Sequence, residues 1–447
     1  MGRLFGTDGV RGIANDELTL ELAYKLGETV TYTLRNKKNK RPAIAVGRDT
    51  RVSGDMLECA LMAGIMAGGG DVYQLGIIPT PAVAYLARYY DADAGAVISA
   101  SHNPMEFNGI KFFNGDGFKL PDEFEDEIEA GLTGNKDIRP TGCDIGRRYD
   151  MKDAEAVYID FLKGMEKSDI KGMRIALDCA NGASYRVAPA LFKALGADVS
   201  LINNIPTGFN INDGCGSTHT EALQKFVSER GVEVGLALDG DADRLIAVDG
   251  NGRVVDGDSV MAICGLDLKE RGLLNRDTVV ATVMSNLGLE VALKERGIRL
   301  LRTKVGDRYV LEEMRRSGYS LGGEQSGHVI FLDSATTGDG LITALNLLGA
   351  VSRSGRDLSQ LSGIIPSFPQ ILINAHVANG RKDSYVDDEK IMLEIERIER
   401  HFDGRGRVVI RPSGTEPLVR VMIEGDNAEE VEKEAKGLAR LIEERLC

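Results

Sequence analysis

Asp239-Gly240-Asp241-Ala242-Asp243-Arg244 follows directly on the apolar run Leu236-Ala237-Leu238. Three carboxylates at alternate positions, separated by the smallest residues, can turn inward on one loop and hold a hard divalent cation. The same opening begins a calcium EF-hand, but that loop needs glycine where Arg244 stands and glutamate where Gly250 stands. A solvated acidic turn would use the same residues. Three carboxylates packed that closely repel one another, however, and a cation resolves the conflict; beside a phosphate, that cation would be Mg²⁺.

A second stretch, Ile98-Ser99-Ala100-Ser101-His102-Asn103-Pro104, ends the small apolar run Ala94-Gly95-Ala96-Val97. It reads either as a strand entering a polar turn or as a strand tip that presents Ser101 as a nucleophile. A third, Arg411-Pro412-Ser413-Gly414-Thr415-Glu416-Pro417 with Arg420 beyond it, combines two hydroxyls, a glycine and two arginines. That set makes an anion nest, or simply a turn between two strands. Gly322-Gly323-Glu324-Gln325-Ser326-Gly327-His328 offers Glu, Ser and His on a pliable loop, suited to hydroxyl groups of a ligand or to no ligand at all. Phe5-Gly6-Thr7-Asp8-Gly9-Val10-Arg11-Gly12 places Arg11 on a glycine-rich turn. No Gly-Lys dipeptide, G-x-G-x-x-G or H-E-x-x-H occurs, and no G-x-S-x-G elbow surrounds Ser101, which argues against ATPase, dinucleotide-dependent dehydrogenase, α/β-hydrolase and zinc-protease chemistry.

Such loops need rigid elements behind them, and one pattern recurs at intervals of roughly a hundred residues. Ala43–Val46, Arg174–Leu177 and Thr278–Ala281 each lead into a polar turn, a helix with a small or apolar face, and a second strand. Each is a βαβ unit of a largely parallel sheet. The expected fold is α/β: three similar mixed or parallel-sheet domains and a smaller C-terminal α+β domain around a central cleft. Expected boundaries are 1–150 with the serine loop, 151–256 with the acidic loop, 257–367 with the Glu324 loop, and 368–447 with the Arg411 loop. Asp249-Gly250-Asn251-Gly252 reads as a hairpin with a type I′ turn, and Pro366-Ser367-Phe368-Pro369 as a linker.

Composition fits this division. At 447 residues the chain is too long for one core. A formal charge of −14 disfavours nucleic acid as a partner, and cations for an anionic substrate must be gathered locally. Six scattered cysteines form neither a disulfide framework nor a zinc site, no apolar run is long enough to span a bilayer, and a reducing cytoplasm is the expected location.

Together FGTDGVRG, ISASHNP, DGDADR, GGEQSGH and RPSGTEP resemble the ordered signature loops of the α-D-phosphohexomutase superfamily. With TKVGDRYV (Thr303 to Val310), the likeness is to its amino-sugar branch. The resemblance implies that Ser101 carries a phosphoryl group and that Asp239, Asp241, Asp243 and the Ser101 phosphate bind one Mg²⁺. It further implies that Arg11 and Arg244 neutralise transferring charge, that Lys111 does acid–base work, and that His102 orients the loop. Glu324, Ser326 and His328 would bind the sugar, and Arg411, Ser413, Gly414, Thr415 and Arg420 the unreacting phosphate. The implied reaction interconverts α-D-glucosamine 1-phosphate and glucosamine 6-phosphate through a 1,6-bisphosphate, which also primes the enzyme. Partners would be small sugar phosphates, with a homodimer possible. Mannose or glucose phosphates as substrates, or a non-catalytic sugar-phosphate sensor, are the alternatives. Asp307 departs from the histidine more usual in mannose-acting members, and the resemblance gives it no role.

Overall fold

The computed structural model describes residues 4–6, 9–132, 139–165, 169–413 and 416–447. The first sheet contains β1 (Val10–Ile13), β2 (Ala43–Arg48), β3 (Asp71–Ile77), β4 (Ala94–Ile98), β5 (Phe107–Asn114) and β6 (Arg148–Asp150), in the order β1-β5-β4-β2-β3-β6. Its centre is parallel, and β5 runs antiparallel to both β4 and β1. The second sheet holds β7 (Arg174–Asp178), β8 (Asp198–Ile202), β9 (Val234–Leu238), β10 (Leu245–Asp249) and β11 (Val254–Val255), ordered β11-β10-β9-β7-β8. The third has β12 (Thr278–Thr282), β13 (Arg299–Thr303), β14 (Leu321–Gly323) and β15 (Val329–Phe331), ordered β13-β12-β14-β15. In the fourth, β16 (Gln370–His376), β17 (Gly406–Pro412) and β18 (Leu418–Gly425) are all antiparallel, with β18 in the middle.

The three βαβ units read from the sequence are these β2–β3, β7–β8 and β12–β13 pairs, each parallel. Central strands β4 and β9 are buried along their whole length, as expected where both faces of a sheet are covered. Helix Gly340–Ser354 shows how such burial is arranged. Asp339 caps it by accepting the Leu341 and Ile342 amides, Gly355 closes it in the left-handed region, and eleven of its side chains or glycines are buried. It lies within a single apolar core that runs continuously through the first three sheets. The fourth unit keeps a separate core of its own, built from Ile391, Phe402, Val421, Leu438 and their neighbours.

The Asp249–Gly252 hairpin forms, but its turn differs from expectation. A type I′ turn needs positive φ at both central residues, whereas only Gly252, at φ +80°, lies in that region. The Asp249 carboxylate accepts the Asn251 and Arg253 amides, and the positive φ falls at Gly252 and not at Gly250 or Asn251. Among the described residues no helix is long and apolar enough to cross a membrane.

Candidate active site

β4 carries the serine loop and β9 the acidic loop. Both leave the ends of buried strands, where an α/β sheet offers its loops to ligands. Ser101 stands just beyond β4 with φ +52°, in the left-handed region that non-glycine residues seldom occupy. Its Oγ donates to Asp239 Oδ2 at 2.7 Å, across a sequence separation of 138 residues, and lies 3.3 Å from His102 Nδ1. The acidic turn therefore faces inward onto the serine. Two interdomain bonds fix the approach: Thr80 donates through its amide to Asp241 O at 2.9 Å and through its hydroxyl to Asp241 Oδ2 at 2.7 Å. Gly240 is required by this contact, because a Cβ there would meet Ser101 O at 2.6 Å and Asn212 Nδ2 at 2.8 Å.

The three aspartates are buried, and their coordinating oxygens lie within 4.8 Å of one another. Asp241 Oδ1 and Asp243 Oδ1 are buried without a hydrogen-bond partner, at the kind of site where an unpaired carboxylate oxygen is costly. Burial, followed by the charges of Asp243 and Asp241, pushes the Asp239 carboxyl well above the ordinary range. Such a cluster fits a metal ion. Around it stand the cations: Lys111 Nζ on β5 lies 3.2 Å from Asp241 and 3.9 Å from Asp243, and Arg244 lies 3.8 Å from Asp243. Burial and the Arg244 and Arg11 charges lower His102 to about 4, so His102 is neutral near pH 7. Both guanidiniums act on the serine loop through their charge. Arg11 reaches it over Gly109, its partner in the β1–β5 register, where a Cβ would meet Ser99 O at 2.7 Å and Arg11 Cγ at 2.9 Å.

The Glu324 loop adjoins the same cluster. Leu245 donates its amide to Gly327 O at 3.0 Å, and Glu324 accepts the Gly306 amide at 3.1 Å. His328 is buried between two acids, its Nδ1 3.5 Å from Asp243 and its Nε2 3.6 Å from Asp307. Burial alone would lower His328, but these carboxylates hold it up at about 9. The Gly338 amide, 3.2 Å from Nε2, favours the neutral ring; one dipole is outweighed by two flanking charges. Asp307 also pairs with Lys119 at 2.6 Å, which gives it a structural task linking the first and third units. Ser326 is exposed on its loop.

Ser101, His102, Lys111, Arg11, Asp239, Asp241, Asp243, Arg244, Glu324 and His328 thus share one neighbourhood. The anion-nest residues form a separate group. Arg411 and Arg420 face each other in the β17–β18 register, and Ser413 Oγ accepts the Glu416 amide at 3.2 Å. Gly414 and Thr415 lie outside the described residues. The fourth unit meets the third where Arg407 donates to Ser285 O and Asn286 Nδ2 donates to Phe368 O at 2.8 Å. Sequence reasoning missed Thr80, Asn212, Lys119 and the Asp49–Arg51 pair. Of these only the last had a visible signal, the charged turn GRDTRVSG after β2.

Four profiles of a single family lie along the chain in order. The phosphoglucomutase/phosphomannomutase alpha/beta/alpha domains I, II and III match residues 2–139, 156–252 and 256–368, and the C-terminal domain matches 372–441. The chain belongs to the phosphoglucomutase/phosphomannomutase family. It is 58% identical over 448 residues to a phosphoglucosamine mutase of Acetivibrio thermocellus and 59% identical over 447 residues to one of Thermoanaerobacter sp. strain X514. Each match covers 100% of both chains. The protein is an enzyme of the isomerase, or mutase, class. Among solved structures, a phosphoglucomutase/phosphomannomutase family protein from Burkholderia thailandensis superposes with a TM-score of 0.84 at 24% identity, covering 99% of this chain and 97% of that one. N-acetylphosphoglucosamine mutase of Aspergillus fumigatus, solved with GlcNAc-6P and magnesium, gives 0.72 at 18% identity, covering 99% and 96%. At such identities the likeness speaks to the fold.

Proposed function

We propose that this chain interconverts glucosamine 6-phosphate and α-D-glucosamine 1-phosphate, with Ser101 as the phosphoryl carrier. The observation that carries this reading is the Ser101 Oγ–Asp239 contact within a buried triplet of acids flanked by Lys111, Arg11 and Arg244. Full-length identity to phosphoglucosamine mutases supports the choice of sugar.

In the forward half-reaction the Ser101 Oγ–P bond breaks as a bond forms from phosphorus to the free sugar hydroxyl. The product is the 1,6-bisphosphate. The Lys111 ammonium, which lies within the cluster, gives a proton to the departing Ser101 Oγ and recovers one from the attacking hydroxyl, so that it ends as it began. After the sugar turns over, the opposite phosphate returns to Ser101, and a hexose 1,6-bisphosphate primes any enzyme that has lost its phosphate. Asp239, Asp241, Asp243 and a phosphoserine oxygen would hold Mg²⁺, which supplies positive charge against the phosphoryl oxygens. Arg11 and Arg244 share that task as charge spreads in a loose transition state. Glu324 and Ser326 would bind ring hydroxyls, and His328 lies beside them with its two ring nitrogens turned to Asp243 and Asp307. Arg411, Ser413, Gly414, Thr415 and Arg420 grip the phosphate that is not reacting, and rotation of the fourth unit about residues 366–369 would bring them over the sugar.

The test is turnover of glucosamine 6-phosphate with and without Mg²⁺, run beside mannose and glucose 6-phosphates. Cation-dependent turnover with the amino sugar preferred in kcat/KM is expected. Preference for a non-amino sugar would overturn the substrate assignment, and full activity of Ser101→Ala would overturn the mechanism.

A further inference from the structure

Some of the most deeply buried charges in the first unit have no task in that reaction. Asp49 and Arg51, in the turn after β2, are each 0% exposed, and Arg51 Nε lies 2.9 Å from Asp49 Oδ2. A buried guanidinium persists only if its remaining donors are satisfied. Here they go to the backbone of the serine loop. Arg51 Nη2 donates to Ser101 O at 3.0 Å and to Asn103 O at 2.8 Å, and Nη1 donates to Pro104 O. From the second unit, Asn212 Nδ2 donates to the same two carbonyls, at 2.8 Å and 3.1 Å. Asp49 Oδ2 also accepts Ser99 Oγ at 2.6 Å, and that hydroxyl oxygen accepts the Ser101 amide at 3.0 Å.

Both the amide and the carbonyl of Ser101 are therefore held, by groups that make no bond to its Oγ. A left-handed serine is a strained conformation that survives only where its surroundings over-determine it. We infer that Asp49, Arg51, Ser99 and Asn212 are positioning residues that lock the Ser101 backbone, so that Oγ keeps one line of approach as phosphoryl donor and then as acceptor. The inference rests on the reading of Ser101 as carrier. It has a specific kinetic signature. The clamp touches only protein backbone, so loosening it should lower kcat and leave KM for the sugar phosphate in place.

The variants are Arg51→Lys, which keeps the charge but loses the fork, and Asn212→Ala, which removes the second donor from the other unit. Each is made in the full chain and compared with wild type for Ser101 phosphate by intact mass, for Tm, and for kcat and KM with glucosamine 6-phosphate and Mg²⁺. A displacement near 1 Å in a reacting atom lowers the rate about 100-fold, and this is the expectation for Arg51→Lys. Loss of one carbonyl donor in Asn212→Ala should lower kcat about tenfold. KM should stay within about twofold for both. Should Arg51→Lys fail to fold, Asn212→Ala decides alone. Wild-type kcat in a folded variant overturns the inference, as does a rise in KM with kcat unchanged. If wild type itself carries no Ser101 phosphate and Ser101→Ala turns over normally, the carrier reading falls and takes the clamp with it. That outcome appears before any clamp residue is altered, so the two failures are distinguishable.

Discussion

Replacing Asp239 by asparagine is expected to leave the cation-free protein almost unmoved and to remove most of what a divalent cation adds. The coordinating oxygens of Asp239, Asp241 and Asp243 lie within 4.8 Å of one another. At an effective dielectric constant of about 20, two full charges at that separation repel by about 332/(20 × 4.8), or roughly 3.5 kcal/mol. That repulsion, added to the larger effect of burial, favours the protonated form of Asp239 when no cation is present. An amide of the same shape mimics the protonated acid: its oxygen can accept the Arg244 amide in place of Oδ1, and its NH2 can donate to Ser101 Oγ in place of Oδ2. In EDTA the Tm of the variant should stay within about 1 °C of wild type, since about 1 kcal/mol corresponds to about 1 °C for 447 residues. With Mg²⁺ at a hundred times its Kd, wild type gains about 2.7 kcal/mol by linkage. If losing one anionic ligand weakens binding about 100-fold, only RT ln 2, about 0.4 kcal/mol, remains to the variant. The difference, about 2.3 kcal/mol, appears as roughly 2–3 °C in a melting experiment run with and without the cation. A variant that gains as much from Mg²⁺ as wild type would show that Asp239 is no ligand. One that melts far below wild type in EDTA would show that the carboxylate was already ionised and paired.

Three further outcomes are expected. Gly240→Ala should lower kcat steeply even with Mg²⁺ saturating, because its Cβ would meet Ser101 O at 2.6 Å; unchanged turnover would mean that the two loops have slack. Arg420→Ala should raise KM about tenfold or more with kcat little changed, the effect of removing a charge-assisted grip made equally in ground and transition states, and steady-state kinetics decides it. Asp258 is raised to about 7 by burial and then by Asp256. The folded state thus holds this proton where the unfolded chain has released it, and the stability it supports is full below about pH 4 and lost as pH rises through 7. Three units of pKa correspond to about 4 kcal/mol. The Tm of Asp258→Asn should therefore exceed that of wild type by an amount that grows from pH 5 to pH 8, and a constant offset would contradict the buried, protonated carboxyl.

The acidic loop, the serine loop and the βαβ units were legible because each is a local pattern: alternate carboxylates, small residues at a strand tip, apolar runs broken by glycine turns. What the chain did not disclose lies in long-range pairings. Arg51 and Asn212 meet at Ser101 O from positions 50 and 111 residues away, and nothing near either residue names that destination. The left-handed backbone of Ser101 was equally hidden, since serine has no local reason to adopt it. At Asn251-Gly252 the dipeptide suggested one turn and the Asp249 side chain selected another. Asp307 was visible as an anomaly in its motif, but its pairing with Lys119 depends on how the first and third units meet.

That the fourth unit has its own apolar interior, while the other three share one, partitions the cooperativity of the molecule. Side chains of residues 370–447 release little contact with the remainder when they loosen, so heat or denaturant can melt this piece while the rest keeps its shape. An enzyme built this way can let one of its four units loosen without spending the rigidity on which the buried serine and acidic loops depend.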